Sequence, residues 1–454
     1  MKQISMLLIV LAFIAAIVAG TLLFSFIPCF SWNGFEFKKM DVLADIRKHN
    51  DIVSIDTIAE VKSENADTCK ADMICFDDYS VKHDALNRFY KALSSNRQVR
   101  IAYFGDSFIE GDILTGSLRN LFQKEYGGNG VGYVPINCVS AGFRITAATS
   151  SNKWEKHCLT DKVFDCNKQG ISGYYFIPKE NATASFSCRN TIENKTDTCY
   201  EASFYFVTDG DLKFTTTVNR QTTEEHNIAG GSDIQKESVF GHIGNIQITI
   251  DNPGKNTRFF GMTLDNGNEG IIIDNYSLRG ISGEKLKSIP EKTLQDFDKM
   301  RSYDLIILQY GLNVATKTGS NYEYYKKAMV NVINYFRENL PNSDFLLVGV
   351  GDRATKINGE MVTMPGVKNL LATQQAIASE CGIAFWNLME VMQLDGGIVE
   401  YVNSKPPKAN LDYTHINFNG GDLVAKYLFE TIEYGKEKYL EKKNILKKIN
   451  KNNL

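Results

Sequence analysis

Between residues 80 and 136 the hydrophobic period of the chain changes twice. Val81, Leu86, Phe89, Tyr90 and Leu93 recur at helical spacing, which predicts a helix from Ser80 to Leu93. After the polar loop "SSNRQ" comes "VRIAYF", a short apolar run of the buried-strand kind that breaks at Gly105. "DILTGSLRNLFQKEY" then sets Ile113, Leu114, Leu118, Leu121 and Phe122 on one helical face. A strand, a tight turn and a helix therefore surround Ser107, and the pattern places its hydroxyl at the head of the helix. Glu110 and Asp112 are read as the start of that helix, where carboxylates suit the dipole. "YGGNGVGYVP" follows a helix rather than a strand and lacks Gly-Lys-Ser/Thr, so it is read as a flexible loop and not a phosphate cradle.

Residues 137–271 read differently. Segments such as "ASFYFVTDGDLKFTTTVN" and "GNIQITIDNPGKNTRFFGMTLDN" alternate at period two and are punctuated by Gly and Asn, which predicts an inserted all-β sandwich. Its aromatics Trp154, Tyr174, Tyr175, Phe204 and Tyr205 are candidates either for core or for stacking on sugars. Over 272–436 strands alternate with helices again: "GIIIDNYSLRGISG", "SYDLIILQYGLN", "NYEYYKKAMVNVINYFREN", "SDFLLVGVGD", "VKNLLATQQAIASECG", "IAFWNL". That order predicts an α/β fold with a mainly parallel sheet covered on both faces. Residues 437–454 are a lysine-rich tail, read as a solvated end.

The amino terminus departs from all of this. From Met6 to Ile27 nearly every residue is apolar, and after Lys2 no charge appears until Glu36. The run is long enough to cross a bilayer of about 30 Å. It exceeds the apolar region of about 7–15 residues that a cleaved signal peptide carries. Residues 1–30 are therefore read as a transmembrane anchor, with the bulk of the chain extracytoplasmic; a removed signal peptide is the alternative. Residues 31–79 are read as a stalk.

Over its 454 residues the chain carries a net charge of −3, so nothing marks it as a nucleic-acid binder. Of the nine cysteines, Cys69/Cys75, Cys158/Cys166 and Cys188/Cys199 are close in sequence and suit local disulfides outside the cytosol. None has C-x-x-C spacing, and no metal or organic cofactor is expected.

Four predicted strand exits carry small or polar residues: Gly105-Asp106-Ser107, Gly280-Ile281-Ser282-Gly283, Tyr310-Gly311-Leu312-Asn313, and "NLDYTHINFNGG" with Asp412 and His415. Acyl transfer needs a nucleophile, a base, an orienter for the base and donors to an oxyanion. Ser107 is the candidate nucleophile, His415 the base and Asp412 its orienter. The amides of Ser107 and Gly283 and the side chain of Asn313 are the candidate oxyanion donors, with Gly280 the alternative to Gly283. Of six histidines, His415 is the one in the returning α/β half.

These four blocks, in this order, resemble the SGNH or GDSL hydrolase superfamily over about 99–137 and 270–435. The resemblance implies a three-layer SGNH-type fold, a Ser107–His415–Asp412 triad and an oxyanion hole of Ser107, Gly283 and Asn313. Phe108 stands where the family's name has Leu, and Val314 follows Asn313 where many members carry Asp. The longer stretch from "GDSFIEGD" through the β-rich insert to "DNYSLRGISG" is similar to a membrane-anchored bacterial branch of peptidoglycan and polysaccharide O-acetylesterases, whose insert is carbohydrate-binding-like. This implies an acetylated envelope glycan as substrate. Two rival readings follow: an O-acetyltransferase using the same site with a membrane-bound O-acyltransferase partner, and an inert glycan-binding protein.

Overall fold

The computed structural model describes residues 30–32, 35–37, 69–70, 72–189, 198–265 and 269–452. The apolar run Met6–Ile27, Cys29 and most of the expected stalk lie outside the described residues. Among the described residues no helix is long and apolar enough to cross a membrane. Phe30–Trp32 pairs with Phe35–Phe37 as a small antiparallel hairpin, within a unit that ends at Glu60.

The unit Val61–Leu454 is a mixed α/β fold with one largely parallel sheet and one large antiparallel sheet. The parallel sheet runs in the order Ile271–Ser277, Val99–Gly105, Leu305–Gln309, Asp344–Val348, Ala384–Trp386, with Asp77–Asp78 antiparallel at the edge. Every residue of Leu305–Gln309 and Asp344–Val348 is buried, and only Arg100 is not in Val99–Gly105. Such continuous apolar runs are what a parallel sheet covered on both faces demands. The register pairs Gly105 with both Ser277 and Gln309, so these strands end together and their exits share one edge.

The helix Thr115–Tyr126 packs on the long final helix Phe418–Asn452, with Phe122 edge-on to Phe429 at 5.1 Å. Glu323–Asn339 packs on Pro365–Cys381. The final helix runs on to Asn452, through the segment expected to be a separate tail. The helix expected from Ser80 begins only at Asn87. Asp78 accepts from the backbone N–H groups of Ser80 and Ala85 and ties the intervening residues into a turn, leaving Val81 99% exposed.

Nine strands between Gly130 and Asp265 join through hydrogen bonds into one antiparallel system. It begins earlier than residue 137. The segment expected to be a flexible loop is the buried strand Gly130–Val134, paired with Arg258–Asp265. Its glycines serve close backbone approach: a Cβ on Gly130 would lie 2.3 Å from the Leu264 carbonyl, and one on Gly132 2.6 Å from that of Ile273. Tyr133 N–H donates to Asp274 Oδ1 at 2.8 Å, and Arg301 donates to Asp274 at 2.8 and 3.0 Å and also to Asp265. Buried charges thus join the two sheets. Tyr174, Tyr175, Phe204 and Tyr205 are buried core and offer no face to a sugar, whereas Trp154 is half-buried and packs edge-on to Phe259 at 5.2 Å.

Cys69 and Cys75 form a disulfide. Cys158 and Cys166 do not: the Cys158 thiol is buried beside Thr160 Oγ1 at 3.1 Å, whereas Cys166 is exposed on a 3-10 turn. Cys188 and Cys199 are unlinked but buried together, and the contact with Cys188, with burial, pushes the Cys199 thiol upward.

Candidate active site

The Val99–Gly105 strand stops on Gly105 because the chain must fold back there. A Cβ on Gly105 would lie 2.8 Å from the Ile109 side chain and 3.0 Å from the Gln309 carbonyl. Asp106 Oδ1 then accepts the Phe108 N–H at 3.0 Å, closing a tight turn around Ser107. Ser107 is not at the head of a helix. A 3-10 turn, Glu110–Asp112, intervenes before the helix starts at Thr115.

The late segment "NLDYTHINF" crosses above this turn. Ser107 Oγ lies 2.9 Å from His415 Nε2, and His415 Nδ1 lies 2.7 Å from Asp412 Oδ2. An ionised carboxylate only accepts, so Nδ1 carries the proton and Nε2 is left to accept from the serine hydroxyl. Asp412 Oδ1 also accepts the backbone N–H groups of Thr414 and His415, each at 3.0 Å. Burial pulls this carboxyl upward, but the hydrogen bonds from His415 and from the backbone outweigh it and hold Asp412 below its usual range. Hydroxyl, imidazole and carboxylate in series can activate the hydroxyl for attack.

Asn313 also reaches the cleft. Its Nδ2 donates to the Ile281 carbonyl at 2.9 Å and to Asp106 Oδ2 at 3.3 Å. Asp106 is fully buried, and that burial pushes its carboxyl up to about 6, against the Phe108 N–H and the nearby His415, which lower it. Of the two candidate glycines, Gly280 borders the cleft with open space beside it. Gly283, at φ 96°, packs against Met329 and Tyr310 instead. The cleft, about 570 Å³, brings together Ser107, Asp412, His415 and Asn313, and Gly283 is not among the residues that line it. Among the described residues no group of three or more His, Cys, Asp or Glu side chains is placed to hold a metal ion.

The structure adds residues that the sequence reading did not assign. Arg279 Nε donates to Glu110 Oε2 at 2.9 Å, and its Nη2 donates to the other carboxylate oxygen, so this ion pair forms one wall of the cleft. Phe143 forms another. Behind the turn, Asp112 is 1% exposed and accepts from Arg119 Nη1 (3.2 Å), Arg144 Nε (3.0 Å), Thr115 (2.8 Å), Asn275 (2.8 Å) and Thr146. Burial would raise this carboxyl, yet the two guanidiniums and the Thr146 and Asn275 bonds hold it well below the usual carboxylate range. Glu110 and Asp112 therefore serve tertiary pairs and not a helix dipole.

No family model matches the sequence, and no curated protein matches it. Among solved structures, a peptidoglycan O-acetylesterase superposes with a TM-score of 0.65 at 18% identity, covering 80% of this chain and 99% of that one. A family two carbohydrate esterase from Clostridium thermocellum aligns at a TM-score of 0.27 and 10% identity, over 63% of this chain and 98% of its own. An acetyl xylan esterase aligns at 0.25 and 15%, over 36% and 80%. At these identities the first likeness shows a shared fold, and the two lower scores add no argument.

Proposed function

We propose that the protein is an SGNH-type serine esterase that removes O-acetyl groups from a cell-envelope polysaccharide through an acetyl-enzyme. The observation that carries this reading is the unbroken series from Ser107 Oγ through His415 to Asp412, 2.9 and 2.7 Å, at the floor of an open cleft. Ser107 Oγ attacks the ester carbonyl while His415 Nε2 takes its proton. The same imidazolium then gives that proton to the departing sugar oxygen, and Asp412 stabilises the cation throughout. Water, deprotonated by His415, cleaves the acetyl-serine and releases acetate.

The negative oxygen of the intermediate is met by the Ser107 amide, Asn313 Nδ2 and a glycine amide from the 280–283 loop. The oxyanion competes for the longer of the two Asn313 bonds, the 3.3 Å one to Asp106. The fold shared with a peptidoglycan O-acetylesterase supports an envelope glycan as the ester's carrier. In this reading the β-rich segment is a carbohydrate-binding-like insert, and the apolar run Met6–Ile27 anchors an extracytoplasmic enzyme.

The test is acetate release from O-acetylated peptidoglycan and from acetylated xylan, with and without Ser107→Ala. Release from one polymer that the variant abolishes supports the reading. Release from neither by the folded wild type, also when a saccharide acceptor and a donor ester are supplied, overturns it. Transfer to the acceptor without net hydrolysis would identify an O-acetyltransferase.

A further inference from the structure

The walls of the cleft hold residues that the acyl-transfer chemistry does not use. Phe143 is a large aromatic left 37% exposed at the mouth. Its ring lies so close to Gly111 that a Cβ there would come within 2.4 Å of it, and Gly111 sits at φ 60°. The next residue, Arg144, is 5% exposed and fastened to Asp112. The ring is thus mounted on the 3-10 turn that follows Ser107 and is not a loosely held surface side chain.

Opposite in chemistry is the Arg279–Glu110 pair. Glu110 engages Nε and Nη2, so the Nη1 donors remain for a further partner on a side chain that is 54% exposed. Arg279 is the one Lys or Arg among the described residues lining the cleft, whereas Glu110 and Asp412 both line it. A carboxylate on the incoming sugar would meet a guanidinium already matched by its own carboxylate, in a wall with an excess of negative charge. An uncharged ring loses nothing by this. Its hydroxyls find Nη1 as donor, Glu110 as acceptor and the amide of Asn410, and its apolar C–H face finds Phe143.

We infer that the cleft selects an uncharged pyranose, seated on Phe143 and hydrogen-bonded by the Arg279–Glu110 pair, over a uronic-acid ring. The assignment rests on the esterase reading for where the acetyl group sits, but the selection itself is a matter of binding.

The experiment separates the two. Binding to the full-length Ser107→Ala chain is measured by calorimetry, with acetylated xylo-oligosaccharide and acetylated oligogalacturonate as probes. The expected result is at least tenfold tighter binding of the neutral probe. Adding Glu110→Gln frees the guanidinium, and the neutral-to-acidic ratio is expected to fall at least tenfold. Phe143→Ala, a change at the cleft mouth, is expected to weaken the neutral probe about tenfold, with Phe143→Trp restoring it. Equal or reversed preference in the Ser107→Ala chain, or a ratio unmoved by Glu110→Gln together with no effect of Phe143→Ala, overturns the inference. Turnover of nitrophenyl acetate by the wild-type chain is recorded separately: its absence counts against the esterase reading while the binding ratio still decides the selection.

Discussion

Replacing Asp112 with Asn tests whether a buried charge cluster holds the 3-10 turn that follows Ser107. The carboxylate accepts from Arg119 and Arg144, and all three side chains are almost wholly buried. Asn keeps one acceptor for Thr115 and Asn275 but turns an NH2 group, or a neutral oxygen, toward two guanidiniums. Removing one partner of a buried ion pair costs about 3–5 kcal/mol because the remaining charge stays buried. At about 2.1 cal/mol/K per residue, the unit Val61–Leu454 gains enough entropy on unfolding that this lowers Tm by roughly 4–6 °C. Calorimetry of wild type and Asp112→Asn at pH 7 measures it. The pH dependence adds a signature. A carboxyl depressed in the folded state stabilises above its unfolded pKa of about 3.9 and loses that contribution as pH falls, so the gap between the two proteins closes below about pH 4. Because this 3-10 turn directly follows the Ser107 turn, kcat/KM for nitrophenyl acetate is expected to fall about 10- to 100-fold, the scale of a displacement on the order of 1 Å. A Tm within 1 °C of wild type, with unchanged turnover, would refute the reasoning.

Asp106 titrates the other way: its folded carboxyl is raised by burial to about 6, so the folded protein binds a proton more tightly than the unfolded chain. Asp106 should therefore contribute a decline in stability of on the order of 3 kcal/mol as pH rises from about 4 to 6; Asp77, also raised by burial to about 6, adds to the slope, so Asp106→Asn should reduce the slope by its own share when denaturant midpoints are followed with pH. Gly421 lies where the final helix passes the end of the 3-10 turn Glu110–Asp112, and a Cβ there would come within 1.8 Å of the Ile113 carbonyl. Gly421→Ala is expected to cost about 3 kcal/mol or more in thermal unfolding. Gly280→Ala, whose Cβ meets nothing within 4 Å, is expected to cost only the ~1 kcal/mol of its positive φ.

The parallel sheet was legible because its strands are short, largely apolar runs, with helical periods between them. The candidate site could be read from the sequence because Ser107, Asn313, Asp412 and His415 each follow such a run or precede the last helix. Strands that end in register bring Ser107 and Asn313 to one edge, and the segment before the last helix adds Asp412 and His415 to the same cleft. What the sequence hid is long-range. Glu110 meets Arg279 across 169 positions and Asp112 meets Arg144 across 32, and no local period records either pair. The glycines of "YGGNGVGYV" look like a loop by composition, yet they permit a strand to pass close to two neighbours, which only the fold reveals. Val81 has the right spacing for a helix face, but Asp78 holds the chain in a turn there, a local side-chain bond overriding periodicity. Sequence proximity of cysteines also misled: the partners of a disulfide must meet in space, and of the three close pairs only Cys69–Cys75 is bonded.

The measurement that bears most directly on the central claim is identification of the acylated residue. The protein is mixed with excess nitrophenyl acetate, quenched in acid within the first turnover, digested and examined by mass spectrometry. The account predicts an acetyl group on the Ser107 side chain, enriched when His415→Ala slows its hydrolysis relative to its formation, and none in Ser107→Ala. Turnover that persists in Ser107→Ala, or an acetyl group trapped on another residue of the cleft, would contradict it.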